Sequence, residues 1–159
     1  MDKKKLVLML LEQLERDRQA LLEATKATLE AATHEESQPE NEYDTRGLEA
    51  SYLAGAQSKR VAELEESISV CRNLQVRNFL SEEPIGPTAL VQLNLEGKKI
   101  WVFLMPRVGG MTLVEDGRRI QVVSGQSPLG QALLGARVGG FAVVETSDKA
   151  REYEICSVQ

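Results

Sequence analysis

The stretch Ala54-Gly55-Ala56-Gln57-Ser58-Lys59-Arg60-Val61-Ala62-Glu63-Leu64-Glu65-Glu66-Ser67-Ile68-Ser69-Val70-Cys71 decides the first half of the fold. Ala54, Val61 and Ile68 recur every seven residues, and Leu64 and Cys71 form a second row three positions on. Two apolar rows per heptad make a narrow coiled-coil seam, interrupted here by Gln57, Lys59 and Arg60. Upstream, from about Leu6 to Thr33, the chain runs without Gly or Pro, and Val7, Leu14 and Leu21 carry a matching stripe. Pro39 separates the two runs, because its ring and missing N–H end a helix. Two helices of similar length around one short break bury their stripes against each other, which predicts an antiparallel hairpin. About 28 residues at roughly 1.5 Å each give arms on the order of 40 Å.

Composition changes near Ser81-Glu82-Glu83-Pro84, the expected boundary between a hairpin over 1–80 and a second domain over 84–159. Only 2 of the 12 glycines precede Ser81, and only 1 of the 5 prolines. The second half instead alternates apolar and polar residues in short runs, the period of half-buried strands. Ala89, Val91, Leu93 and Leu95 share one strand face ahead of a turn at Glu96-Gly97, and Ile100–Met105 is a nearly continuous apolar strand. Met111–Val114 and Arg118–Ser124 flank Glu115-Asp116-Gly117 as a hairpin, and Phe141–Thr146 with Glu152–Val158 pair last. Between them, Ser127-Pro128 opens a short helix that Gly135 stops. The expected class is α+β, with a mainly antiparallel sheet and one short helix.

Several functions are set aside by composition. The 159 residues carry a net charge of −5, which disfavours free DNA or RNA as a whole-surface ligand. The longest apolar run, Leu6–Leu11, is far short of the ~20 residues that span a bilayer, and no cleavage site follows it, so the chain reads as cytoplasmic and without a membrane partner. Cys71, Cys156 and the single His34 lack metal-ligand spacing. Arg107-Val108-Gly109-Gly110 and Arg137-Val138-Gly139-Gly140 lack a lysine placed for phosphates and read as turns. Trp101, Phe103, Phe141 and Tyr153 suit an ordinary core better than a ligand pocket.

The unusual feature lies at the hairpin tip, residues 34–44. Glu35, Glu36, Glu40, Glu42 and Asp44 put five carboxylates in ten residues with no base among them. Such crowding costs stability unless a cation answers it. Ser37-x-x-Glu40 fits a capping box and explains Glu40, but Glu35 and Glu36 sit at the C-terminal pole of the first helix, where negative charge is disfavoured. Carboxylates are hard oxygen ligands suited to Mg²⁺ shared with a second molecule.

An acid-tipped hairpin followed by a strand-rich domain containing Val122-Val123-Ser124-Gly125-Gln126-Ser127-Pro128-Leu129-Gly130-Gln131-Ala132-Leu133-Leu134-Gly135, and ending in Glu152-Tyr153-Glu154-Ile155, resembles the bacterial Gre transcript-cleavage factors, GreA and GreB. The resemblance implies an FKBP-like second domain that docks on bacterial RNA polymerase while the hairpin enters the secondary channel. It implies docking through Gln126, Ser127 and Pro128, and an Asp and a Glu three residues later at the tip that help the polymerase hold a catalytic Mg²⁺. On that pattern nascent RNA is touched only indirectly, and the chain needs no cofactor of its own and is no enzyme by itself. Aligned on His34 and Glu42-Tyr43, Glu36 takes the Asp position and Pro39 the Glu position, so Glu36 and Glu40 are the candidate Mg²⁺-holding acids. Glu35, Glu42 and Asp44 add tip charge. The alternatives are a cleavage-deficient factor that occupies the channel, an FKBP-like prolyl isomerase with an aromatic pocket, and a coiled coil that only dimerises.

Overall fold

The computed structural model describes residues 1–33, 46–145, 147 and 149–159. It divides into two compact units, Leu10–Asn73 and the combination of Met1–Met9 with Leu74–Gln159. Composition predicts the boundary at Ser81–Pro84. The units part instead at Asn73, and the first nine residues group with the sheet because their side chains are tied there.

Two long helices, α1 (Lys3–Thr33) and α2 (Arg46–Arg72), make the first unit, except that α1 up to Met9 groups with the sheet. α1 starts a turn ahead of Leu6 because the Asp2 carboxylate accepts from the amides of Lys4 (2.9 Å) and Lys5 (3.4 Å), an N-cap preceding the apolar stripe. On α2 the heptad row Ala54, Val61 and Ile68 is buried, as is Cys71, with Leu64 half-buried. Leu14 is the buried counterpart on α1. Arg72, the last residue of α2, donates to Glu15 in the first half of α1 at 2.6 Å, as an antiparallel hairpin requires. Burial pushes the Cys71 thiol up to about 11, so it is an inert seam residue. The turn expected at Ser37–Pro39 lies outside the described residues.

The second unit holds β1 (Leu90–Leu95), β2 (Lys98–Met105), β3 (Met111–Glu115), β4 (Arg118–Ser124), α3 (Pro128–Leu133), β5 (Phe141–Glu145) and β6 (Ala150–Val158). The turns at Glu96-Gly97 (φ 51° and 82°) and Asp116-Gly117 (φ 48° and 72°) have positive φ at both residues, the twist that suits a tight hairpin. The sheet order is β3-β4-β2-β1-β6-β5, and neighbours are antiparallel except β2 and β4, which run parallel. The β3–β4 hairpin turns back so that β4, not β3, lies inside against β2.

α3 packs on both β4 and β5, the second and last strands of that order, so the sheet curls around it. The enclosed face carries Val91, Leu93, Val102, Leu104, Ala142, Tyr153 and Ile155, closed by Leu133, Phe79 and Ile85. Strand alternation puts the fully buried Leu90, Phe103, Met105 and Ile120 on the opposite face. Met1–Met9 is fastened to this unit. Lys5 pairs with the buried Glu115 of β3 at 3.4 Å, and Leu6 and Val7 are buried. Lys3 donates to the carbonyl oxygens of Arg77 and, at 2.7 Å, Gln159, with its Nζ 5.2 Å from the centre of the Phe79 ring. Burial, and then the Arg77 guanidinium, draw the Lys3 ammonium down to about 8.

Candidate functional site

The segment Gln126–Pro128 sits where β4 ends and α3 begins. Gly125 N–H donates to Met105 O at 2.8 Å, and Gln126 N–H to Ser124 Oγ at 3.1 Å. The Ser127 hydroxyl donates to Ser124 O at 2.7 Å and accepts the Gly130 N–H at 3.1 Å. Ser127 is thus the N-cap of α3, and Pro128 occupies the first helical position, where its missing N–H costs nothing. Its hydroxyl is fully engaged inside the chain. Gln126 and Pro128 are exposed, so the segment displays an amide and a rigid ring to any partner.

Two glycines let this corner close. A Cβ on Gly130 would lie 2.0 Å from Ser124 O, and one on Gly109 would lie 2.6 Å from Ser124 N. Both positions therefore exclude every other residue type unless the backbone shifts. Beside the corner is a cavity of about 560 Å³, bounded by Arg107, Met111, Thr112, Val123, Pro128 and Val144, among others. No aromatic ring lines it among the described residues. Trp101, Phe103 and Phe141 lie on the opposite face of the sheet, and Tyr153 is in the enclosed core, so the four aromatics form no common pocket. The aromatic pocket that the isomerase alternative asks for is not formed at this cavity among the described residues.

The tip acids Glu35, Glu36, Glu40, Glu42 and Asp44, with His34 and Tyr43, lie outside the described residues. Among the described residues, no group of three or more His, Cys, Asp or Glu side chains converges as metal ligands. No helix described is long and apolar enough to cross a membrane. Sequence reasoning found the capped corner but missed the cavity beside it and the ties made by Asp2, Lys3 and Lys5. Asp2 ahead of an apolar run was a legible N-cap signal. The Lys3 contacts bridge 74 and 156 positions and leave no local trace.

A two-helix hairpin and a curled six-stranded sheet whose β4–α3 corner is capped by Ser127 and carries an exposed Pro128 define the class of fold, a helical-hairpin unit followed by an α+β unit. Residues 114–159 match the model of "Transcription elongation factor, GreA/GreB, C-term". The chain is 32% identical over 152 residues to the Transcription inhibitor protein Gfh1 of Thermus thermophilus, covering 94% of this chain and 90% of that protein. The Gfh1 of Thermus aquaticus is 29% identical, over 94% and 89% of the two chains. The crystal structure of the Thermus thermophilus protein aligns over 96% of this chain and 94% of its own, with 29% identity and a TM-score of 0.38. This chain belongs to the GreA/GreB family of transcription factors.

Proposed function

We propose that this chain is an inhibitory member of its family: it binds RNA polymerase through the sheet unit and places the acidic segment 34–44 in the secondary channel without strongly stimulating transcript cleavage. The observation that carries this reading is the 32% identity, over nine-tenths of both chains, to a protein named as a transcription inhibitor. Pro39 supports it. A side chain without oxygen stands where the family resemblance expects the second carboxylate, and Mg²⁺ demands near-octahedral oxygen ligands at fixed geometry. The exposure of Gln126 and Pro128 at a rigid corner supports binding there; a hairpin alone offers little of the ~800 Å² per partner that stable interfaces bury. The chain is not an enzyme in its own right on this reading, and any Mg²⁺ belongs to the polymerase active site.

The test uses backtracked and active elongation complexes of the cognate polymerase. Nucleotide addition should slow, and RNA cleavage should stay at the polymerase's own rate. Neutralising several of Glu35, Glu36, Glu40, Glu42 and Asp44 should relieve inhibition stepwise, and raised salt should weaken it, as for exposed charges acting at a distance. Strong cleavage that either Glu36→Ala or Glu40→Ala abolishes would overturn the proposal in favour of a cleavage factor. A Pro39→Glu variant that gains cleavage would support the ungapped placement of Glu36 and Pro39.

A further inference from the structure

Charge divides the two faces of the sheet. Strand alternation puts Glu115, Glu145, Glu152 and Glu154 on the face opposite the enclosed core, together with Lys99 and Arg118. There Glu115 stands across from Arg118, and Asn94 lies between Lys99 and Glu154. The charged strand residues of the enclosed face are Lys98, Arg119 and Arg151, all basic and all exposed. Each stands across the ladder from an aliphatic side chain: Lys98 from Leu95, Arg119 from Val114 and Arg151 from Val144. Leu95 and Val144 are half-buried at the margin of the core, and Val114 is 56% exposed. In sheet order the six make one row across all six strands, roughly 24 Å along the sheet at about 4.8 Å per strand. Among the described residues, none of the three cations forms an ion pair, although Glu96 and Asp116 stand in the nearby turns.

We propose that this row binds an acidic, amphipathic segment of another protein, with apolar side chains on Leu95, Val114 and Val144 and carboxylates on Lys98, Arg119 and Arg151. Each cation and its aliphatic neighbour share one face, about 5 Å apart. The segment therefore presents acidic and apolar groups on a single side, as a helix does at spacings of three and four residues. Charge decides the sign of the partner. The unit of Met1–Met9 with Leu74–Gln159 holds 12 Lys and Arg against 10 Asp and Glu, in a chain of net charge −5, and the row itself contains no acid. The aliphatic neighbours decide its class. Single-stranded nucleic acid stacks its bases on aromatic rings, and the row offers none; Tyr153, on the same face of β6 as Arg151, is 9% exposed. The row does not include Gln126–Pro128, so the proposal stands apart from docking through that corner.

The test is an NMR titration of the full chain, without polymerase. Its probes are a capped helical peptide with leucine and glutamate on one side, the same peptide with lysine for glutamate, and a single-stranded oligonucleotide. The glutamate peptide should move the amide signals of residues 95–98 and 114–119 and of Val144 and Arg151, and the lysine peptide should not. Lys98→Ala, Arg119→Ala and Arg151→Ala remove exposed side chains that hold no ion pair, so each should keep the parent melting temperature. Each should weaken the glutamate peptide about two- to fivefold, and raised salt should weaken it further. Lys99→Ala and Arg118→Ala, on the other face, should leave its affinity unchanged. Equal binding of both peptides, tighter binding of the oligonucleotide, or no binding near millimolar peptide would each overturn the proposal. So would losses at Lys99 and Arg118 equal to those at Lys98, Arg119 and Arg151.

Discussion

Ser127 holds a structural role and a proposed docking role at once, and substitution separates them. Ser127→Ala removes the oxygen that accepts Gly130 N–H and the hydroxyl that donates to Ser124 O. The second loss is mild, because Ser127 N–H still donates to Ser124 O at 3.0 Å. The first is an ordinary N-cap deletion, worth about 1 kcal/mol. In a unit of this size that lowers the melting temperature by roughly 4–8 °C. The chain has 1 tryptophan, Trp101 in β2, so its fluorescence follows the sheet unit directly. Ser127→Asn keeps an acceptor for Gly130 and an amide donor for Ser124, so stability should return to within a few tenths of a kcal/mol. Polymerase affinity is then measured for both variants. If the surface at Ser127 is a contact, Asn should stay weak although its fold is restored. Affinity that tracks stability in both variants would confine Ser127 to its cap, and unchanged affinity in both would refute docking through this corner. An unchanged melting temperature for Ser127→Ala would refute the cap argument itself.

Gly130→Ala should cost more than about 3 kcal/mol in urea unfolding, because the new methyl would lie 2.0 Å from a backbone oxygen that only moves with β4; a loss under 1 kcal/mol would contradict the close packing (~1 kcal/mol being an average substitution). Lys3 supplies a pH test. Its folded value of about 8 lies below the usual 10.5, so between those limits the unfolded chain holds more protons, and stability should rise with pH by at most about 3 kcal/mol. Lys3→Met should remove that rise, and parallel pH profiles for the two proteins would sink the assignment. Ile68→Ala, at a seam position 2% exposed, should cost about 2–4 kcal/mol in helix unfolding followed by circular dichroism, and a neutral result would mean that the seam does not hold the hairpin.

Local physics made most of this fold legible, and long-range contacts account for what was not. The period of Ala54, Val61 and Ile68 reports burial directly, and Glu96-Gly97 and Asp116-Gly117 state their turn geometry in residue type. Alternation fixes which face of a strand is buried but not which strand lies beside it, so the parallel pairing of β2 with β4 was hidden. The approach of Gly109 and Gly130 to Ser124 was hidden for the same reason: each glycine fits an ordinary turn or helix reading, and only the assembled corner shows why a Cβ is excluded. The corner Gln126–Pro128 was legible because its cap is local.

Charge distribution along the chain gives the acidic segment its meaning. On the helices, acids sit beside bases at helical spacing, as with Arg60–Glu63 at 2.9 Å and Lys26–Glu30 at 3.8 Å. Exposed pairs of that kind are worth about 0.3–0.5 kcal/mol each and keep a helix face solvated. Where an acid is buried, as Glu115 is, a lysine is brought to it. Residues 35–44 break this habit, with five acids and no base. The Ser37-x-x-Glu40 pattern read from the sequence accounts for one of the five, and like charges this close together repel one another. Five acids with no base among them leave no cation within the segment to answer their charge, and on the proposed function the partner that meets it is the polymerase. That reasoning is independent of whether Glu36 and Glu40 ever hold a metal. It makes graded loss of inhibition on neutralisation the natural outcome for a charge-based device, and all-or-none loss at a single acid the mark of a coordination site.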